Sequence, residues 1–159
     1  MSDPLYRKDL LRLAADAHGA GRLSVPHVTG QAHNPACGDK VTVDLALADG
    51  RIAQIAHDTK ACVLAQASSS ILGRALKRAN RMDVEQLRAS VAAMLAAHGP
   101  TPLPPFDAYA TFDGTIAFPS RHRCVLLPIE AVLAAFDAAE EIDGNTDIPP
   151  APGAGRNCL

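Results

Sequence analysis

Aromatic residues and surplus basic charge are both scarce in this chain. Phe, Trp and Tyr make up 4% of its 159 residues and Trp is absent, so a core must be built mainly from Leu, Ile, Val and Ala. The formal net charge is −2. Because no surplus of Lys and Arg is present to neutralise phosphates, the composition argues against binding of nucleic acid or of an anionic membrane.

Long apolar runs are also absent. The longest, around residues 90–97, is short and rich in Ala, which is too little to span a bilayer. Residues Met1–Leu5 show no basic region followed by an apolar one, so we expect a cytoplasmic protein. In a reducing compartment, the four cysteines suit metal or sulfur chemistry better than a disulfide framework. Hydrophobic residues still make up 48%, enough for one ordinary domain.

Apolar periodicity predicts three strands. Val41, Val43, Leu45 and Leu47 alternate with polar or small residues, which is typical of a strand with one face on a core. Asp49-Gly50 predicts a tight turn into a return strand over 51–57, and we expect a further strand around residues 27–32.

Helical spacing recurs on both sides of these strands. It covers residues 5–18, 62–79 and 83–98, with Asp83 as the expected N-cap of the third helix. A short helix is expected near 106–112, and a last one from about Pro119–Arg121 to Glu141. The predicted fold class is therefore α+β, a small antiparallel three-stranded sheet packed on one face by about four to five helices. Residues 142–159, rich in Pro and Gly, predict a flexible tail after a domain over 1–141.

Three of the four cysteines fall at predicted junctions. Cys37 precedes the hairpin, Cys62 begins a helix and Cys124 lies in the first turn of the last helix. Helix N-termini favour the thiolate. Asp39 follows Cys37 by two residues, so three thiolates and one carboxylate supply the four ligands that a tetrahedral zinc ion or an iron centre needs.

The spacing by itself leaves two interpretations open. The intervals are 25 residues (62 − 37) and 62 residues (124 − 62), without the paired C-x-x-C of zinc fingers. The residues therefore allow either a shared metal site or Cys62 and Cys124 as small buried apolar side chains. Cys158, in the predicted tail, is expected to be a free exposed thiol.

Two other classes of zinc protein fit less well. A zinc deaminase needs H-x-E and P-C-x-x-C segments, neither of which occurs, and no H-E-x-x-H is present. A purely structural zinc domain usually has only Cys and His ligands, so Asp39 argues against it.

Several motifs in order resemble the IscU/SufU/NifU N-terminal family of iron–sulfur cluster assembly proteins. They are Leu5-Tyr6-Arg7, Asn34-Pro35-Ala36-Cys37-Gly38-Asp39, Asp49-Gly50-Arg51-Ile52, Cys62 with Gln66–Ser70, and Phe118–Cys124. The resemblance spans roughly residues 5–137. It is closest to the SufU-type branch, because Arg123 stands where IscU-type proteins have His and because the interval between Cys62 and Cys124 is long.

The resemblance implies a SufE/IscU-like fold for residues 1–141 and a ligand set of Cys37, Asp39, Cys62 and Cys124. It implies a PLP-dependent, SufS-like cysteine desulfurase and apo iron–sulfur acceptor proteins as partners. Two mechanisms stay open. In one, the site assembles a transient [2Fe–2S] cluster from iron and sulfide. In the other, zinc occupies the site and Cys37 accepts persulfide sulfur.

Charged residues beside the cysteines have two interpretations. Arg121, Arg123 and Lys60 are either solvated surface residues or groups that steady a thiolate or contact a desulfurase. We expect His122 at the surface. Ser68–Ser70 have no acid or base partner in the sequence pattern, so we expect them to pack or cap a helix.

Overall fold

The computed structural model describes residues 7–25, 27–36 and 38–144, and it confirms the predicted α+β architecture. One antiparallel sheet has the order β1-β2-β3, and four α-helices and two 3₁₀ segments accompany it within these residues. The strands are β1 (Val28–Asn34), β2 (Asp39–Ala48) and β3 (Arg51–Lys60). The helices are α1 (Lys8–Asp16), α2 (Val63–Ala75), α3 (Arg81–Ala97) and α4 (His122–Gly144), with 3₁₀ segments at Asp107–Thr115 and Pro119–Arg121.

The β2–β3 hairpin follows the predicted alternation. Val41, Val43 and Leu45 are buried in the core. Asp49 and Gly50 both have positive φ, +54° and +76°, as a two-residue type I′ turn requires. A register shift between Ala46 and Leu47 marks a bulge near this turn, and Leu47 is only partly buried.

One face of the sheet carries the helices. Helix α4 lies across β1 and β2, and α2 packs against β3. Gly30 permits the closest approach, since a Cβ there would overlap the backbone of Ala131 and Ala135 on α4. The core lies between the sheet and these two helices and continues between them and α1, α3 and the first 3₁₀ segment.

A buried histidine in β3 connects the sheet to the segment that follows α1. His57 in β3 donates from Nε2 to the carbonyl of His18 at 2.9 Å, and its backbone N donates to the carbonyl of Gly19 at 2.9 Å. Burial lowers the pKa of His57, so the imidazole is neutral at pH 7. The same junction needs Gly73 in α2, where a Cβ would overlap the carbonyl of His18.

Several predicted boundaries were wrong by a few residues. The N-cap of α3 is Asn80 rather than Asp83: Asn80 Oδ1 accepts from Asp83 N at 2.8 Å, and Asp83 Oδ2 accepts from Asn80 N at 3.0 Å, which is a capping box. Helix α2 ends at Ala75, and α4 continues to Gly144, past the expected end at 141. The predicted start of α1 at Leu5 and the tail over 145–159 lie outside the described residues. Within those residues, no helix is both long and apolar enough to cross a membrane.

Candidate metal centre

Asp39 is aimed at the core by its place in β2. It is the first residue of the strand and has the same parity as Val41 and Val43, so its side chain points to the helix-covered face. Only 8% of the residue is exposed. The β1–β2 connection holds it there, because Gly38 N donates to the carbonyl of Asn34 at 2.8 Å and Asn34 pairs with Asp39 across the strands.

Cys62 is the N-cap of α2, two residues after β3 ends. Gln66, in the first turn of the helix, donates from its backbone N to the carbonyl of Cys62 at 3.0 Å. Its side-chain Nε2 donates to the carbonyl of Thr59 at 2.7 Å, so the helix start is tied to the end of β3. Sequence reasoning did not single out Gln66 as a positioning residue. The sequence held no local signal for it, because Gln66 is the fourth helical residue and donates to a strand carbonyl seven residues away, outside the capping-box pattern.

Cys124 is the third residue of α4 and is 3% exposed. Next to it, Ser68 Oγ on α2 donates to the carbonyl of Val125 at 2.7 Å and lies 2.8 Å from Tyr109 Oη. These bonds fix α2 and α4 relative to each other beside the cysteine. They also confirm that Ser68 is a packing residue.

The three side chains meet at one point. A carboxylate oxygen of Asp39 and the Sγ atoms of Cys62 and Cys124 all lie within 4.8 Å of one another. Asp39 Oδ2 is buried and has no hydrogen-bond partner among the described residues. A buried carboxylate oxygen without a partner is costly, and two sulfurs beside it form a donor set that suits a transition-metal cation. We call these residues the Asp–Cys–Cys cluster.

The two thiols of the cluster titrate as a pair. The hydrogen bond from Cys124 lowers the pKa of Cys62 below its usual range, against the effect of burial, and the amides of Ala65 and Leu64 at the start of α2 lower it further. The hydrogen bond to Cys62 and burial raise the pKa of Cys124, while the charge of Arg121 acts in the opposite direction. The first proton therefore leaves from Cys62, whose thiolate accepts a hydrogen bond from Cys124.

Three of the four candidate ligands are thus adjacent, whereas Cys37 lies outside the described residues, as does Cys158. Arg123 and Lys60 are exposed. The surface position expected for His122 was wrong. It is half-buried, with Nε2 within 3.0 Å of the carbonyl of Thr115 and 3.2 Å of that of Ile116, because the 3₁₀ segments fold against the start of α4.

The fold and the cluster together define an α+β protein with a thiolate-rich candidate metal centre. The family model of the NifU-like N-terminal domain matches residues 5–106. A solved NifU-like protein (N-terminal) from Brucella abortus, described as nitrogen-fixing, is 33% identical, with a TM-score of 0.82 over 87% of this chain and 96% of that one. The chain belongs to the NifU-like N-terminal domain family, the iron–sulfur cluster scaffold family that its motifs resemble.

A second solved structure shows the same fold at lower identity. It is a candidate iron–sulfur cluster assembly scaffold protein for the SUF system from Fervidobacterium islandicum AW-1. It is 18% identical, with a TM-score of 0.75 over 86% of this chain and 99% of that one. A comparison with curated protein sequences found no match.

Proposed function

We propose that this protein serves iron–sulfur cluster assembly in the cytoplasm. Cys37, Asp39, Cys62 and Cys124 would bind iron, a transient [2Fe–2S] cluster or zinc, and sulfur would come from a PLP-dependent cysteine desulfurase. The observation that carries the proposal is the convergence of Asp39, Cys62 and Cys124 within 4.8 Å, with a buried carboxylate oxygen that has no partner in the described chain. Membership of the scaffold family supports it.

The position of Cys37 in the chain supports it as the fourth ligand. Two residues of extended chain span at most about 7 Å, so Cys37 stays close to Asp39. A fourth ligand from this loop would close a tetrahedral site.

The carboxylate gives the set one exchangeable ligand. Thiolates hold soft metals and iron–sulfur clusters tightly, whereas a carboxylate is a harder ligand that suits Zn²⁺ and iron less well than sulfur does. A site that must release its cargo to an acceptor protein benefits from one weaker bond. Asp39, the first residue of β2, would supply it.

A second candidate is a zinc-dependent sulfur relay. The features that resemble the SufU-type branch favour it, namely Arg123 before Cys124 and the long interval between Cys62 and Cys124. The three donor atoms lie within 4.8 Å of one another, so one tetrahedral zinc ion bound at about 2.0–2.3 Å would draw them slightly closer together. When bound, zinc would keep the thiolates deprotonated.

In this second candidate, Cys37 is the sulfur acceptor. Its thiolate would attack the outer sulfur of the desulfurase persulfide. The new sulfur–sulfur bond forms on Cys37, the old one breaks, and the desulfurase cysteine leaves as a thiolate. No external oxidant or reductant is needed, because only the outer sulfur atom moves and one sulfur–sulfur bond replaces another.

The metal and acid-labile sulfide content of protein purified without oxygen tests these proposals. Iron and sulfide in similar amounts, with visible absorbance, support the scaffold. About one zinc without sulfide supports the relay, provided that incubation with desulfurase and cysteine puts a persulfide on Cys37. Zinc without any reaction with a desulfurase would instead indicate a purely structural site.

Cysteine variants provide the matched control. Cys124→Ser removes a proposed ligand and should lose the bound metal, whereas Cys158→Ser removes a thiol of the tail and should keep it. Equal metal content in the two variants, or wild-type protein that takes up neither metal nor cluster, would refute the four-ligand site.

A further inference from the structure

Two thiols of the Asp–Cys–Cys cluster lie close enough to react with each other. The Sγ atoms of Cys62 and Cys124 lie within 4.8 Å, and both cysteines are free thiols. A disulfide holds its two sulfur atoms about 2.05 Å apart. The two atoms must therefore approach each other by roughly 3 Å at most, which is a displacement that a change of χ1 rotamer gives to one sulfur.

The first turn of α4, which carries Cys124, is restrained by fewer hydrogen bonds than the first turn of a regular helix. Pro128 lies inside α4 and has no backbone N–H, so the carbonyl of Cys124 lacks the donor that the residue four positions later normally supplies. The next carbonyl, that of Val125, is held by Ser68 Oγ of α2 at 2.7 Å. Cys124 can therefore adjust its position towards Cys62 while α2 and α4 stay joined at Val125.

The two thiols differ in their access to solvent. Cys62 is half-buried, whereas Cys124 is only 3% exposed. A small oxidant from solvent therefore reaches Cys62 first, and Cys124 is the thiol that remains to react with the oxidised sulfur. An accessible cysteine beside a second, resolving cysteine is the usual arrangement of a redox-sensing pair.

We propose that Cys62 and Cys124 are joined by a regulatory disulfide when the protein meets a peroxide, and that this disulfide releases the metal; the second part rests on the proposed function. Hydrogen peroxide oxidises the thiol of Cys62 to a sulfenic acid and is itself reduced to water. The sulfur of Cys124 then attacks the sulfur of Cys62. The sulfur–sulfur bond forms, the sulfur–oxygen bond breaks, and the hydroxyl group leaves as a second water with the proton of Cys124.

The disulfide would remove two ligands from the centre in a reversible way. Cysteine binds a metal as the thiolate, so the disulfide leaves Asp39 as the one remaining donor of the three that converge. Further oxidation of a lone sulfenic acid to a sulfinic acid is irreversible, whereas thiols reduce a disulfide. Disulfides in reducing compartments are usually transient and redox-sensing, which is the behaviour expected of this pair.

Peptide mapping of the full chain, freed of metal by a chelator, tests the disulfide directly. Trypsin cleaves after Lys and Arg, which places the four cysteines in four different peptides, 23–40, 61–74, 124–156 and 157–159. The protein is treated with a small excess of hydrogen peroxide, its remaining thiols are alkylated, and it is digested without reductant. We expect the link between 61–74 and 124–156 to exceed every other link by about tenfold, because the two sulfurs are already adjacent. A dominant link to 23–40, links spread over all four peptides, or no link would overturn the proposal.

Matched variants test whether Cys124 protects Cys62 from further oxidation. Cys37→Ser/Cys158→Ser leaves the pair as the only two thiols and should still form the disulfide, which dithiothreitol returns to two thiols. Adding Cys124→Ser leaves Cys62 alone, and the fraction of Cys62 found as sulfinic acid after peroxide should rise by about fivefold or more. An equal fraction of sulfinic acid in the double and the triple variant would show that the two thiols do not pair.

Zinc-loaded wild type separates this proposal from the proposed function. Peroxide should release about one zinc ion for each link between 61–74 and 124–156, as measured with a chromogenic chelator, and dithiothreitol should restore zinc binding. Zinc released without the link, or retained with it, would overturn the regulatory disulfide and leave the metal centre standing. A chain that forms the link but never takes up metal or cluster would instead overturn the proposed function.

Discussion

The buried carboxylate of Asp44 allows a quantitative test of how the sheet is held together. Asp44 lies in β2 on the face opposite the helices, and its side chain is fully buried. It accepts hydrogen bonds from Arg22 Nε at 2.7 Å and Nη2 at 3.0 Å, from Leu23 N at 3.0 Å and from Thr29 Oγ1 at 2.7 Å. These bonds fasten the segment before β1, and β1 itself, to the strand that carries Asp39.

The size of the effect follows from the pKa. Burial would raise the pKa of Asp44, but the hydrogen bonds from Arg22, Thr29 and Leu23 outweigh it and lower the pKa from 3.8 to about 2. A pKa shift of nearly two units corresponds to about 2.5 kcal/mol at most. Because the Arg22 side chain is half exposed, water screens part of this. We expect Asp44→Asn to lower the free energy of unfolding at pH 7 by ~1–2 kcal/mol.

The sign of the pH dependence is determined by the lowered pKa. The folded state holds the carboxylate ionised, so the contribution is complete above the unfolded pKa of about 4 and is lost as the pH falls towards about 2. The difference between wild type and Asp44→Asn should therefore be the same at pH 7 and pH 5, and about half as large at pH 3.

Urea denaturation in the presence of a chelator measures this difference without a contribution from metal binding. Asp49→Asn is the matched control, because Asp49 is exposed in the β2–β3 turn and Asn tolerates its φ of +54°. A control that loses as much stability, or an Asp44→Asn deficit that is equally large at pH 3, would refute the charge-based account.

Further predictions concern the core and the cluster. Gly30→Ala should lower the free energy of unfolding by ~2 kcal/mol or more, since the new Cβ overlaps the α4 backbone. Chemical denaturation measures this change. The control Gln31→Ala, on the exposed face of β1, should lower the free energy of unfolding far less. Asp39→Ala should retain a bound cluster several-fold longer, because the exchangeable ligand is gone; an unchanged rate of transfer to an apo acceptor would contradict this. Cys124→Ala should raise the pKa of Cys62 and slow its alkylation by iodoacetamide at pH 7 in metal-free protein, whereas Cys124→Ser keeps a donor and should slow it less. Equal rates in these two variants would show that the hydrogen bond is not the cause.

Local signals in the chain were sufficient to predict strand β2 and the turn between β2 and β3. The alternation from Val41 to Leu45 and the pair Asp49-Gly50 depend only on side-chain parity and on positive φ, so both are readable from neighbours in sequence. The cap of α3 shows where such reading fails. Asp83 was predicted to be the N-cap and is the N3 residue instead, because Asn80 and Asp83 cap each other and either one alone resembles an N-cap.

The burial of Asp44 could not be predicted from its strand. In an alternating pattern, a polar residue opposite the apolar face is expected in water, as Lys40 is. Asp44 is buried because the chain before β1 crosses that face, and Arg22 and Leu23 supply its donors from 22 and 21 residues away. Likewise, the hydrogen bond from His57 to the carbonyl of His18 spans 39 residues, and no local periodicity predicts it.

For the candidate metal centre, the sequence predicted the kinds of ligand, and the tertiary structure determined which of them lie together. The sequence by itself determined which residue types were available: a carboxylate at the start of β2 and cysteines at the starts of two helices. The helix amides lower the pKa of Cys62, but the expectation of a thiolate at Cys124 was wrong, because burial and the hydrogen bond to Cys62 raise the pKa of Cys124. Only the tertiary structure decided that Asp39, Cys62 and Cys124 meet within 4.8 Å. Their separations of 23 and 62 residues carry no distance information, and the packing of α2 and α4 on one face of the sheet brings both helix starts to the same edge.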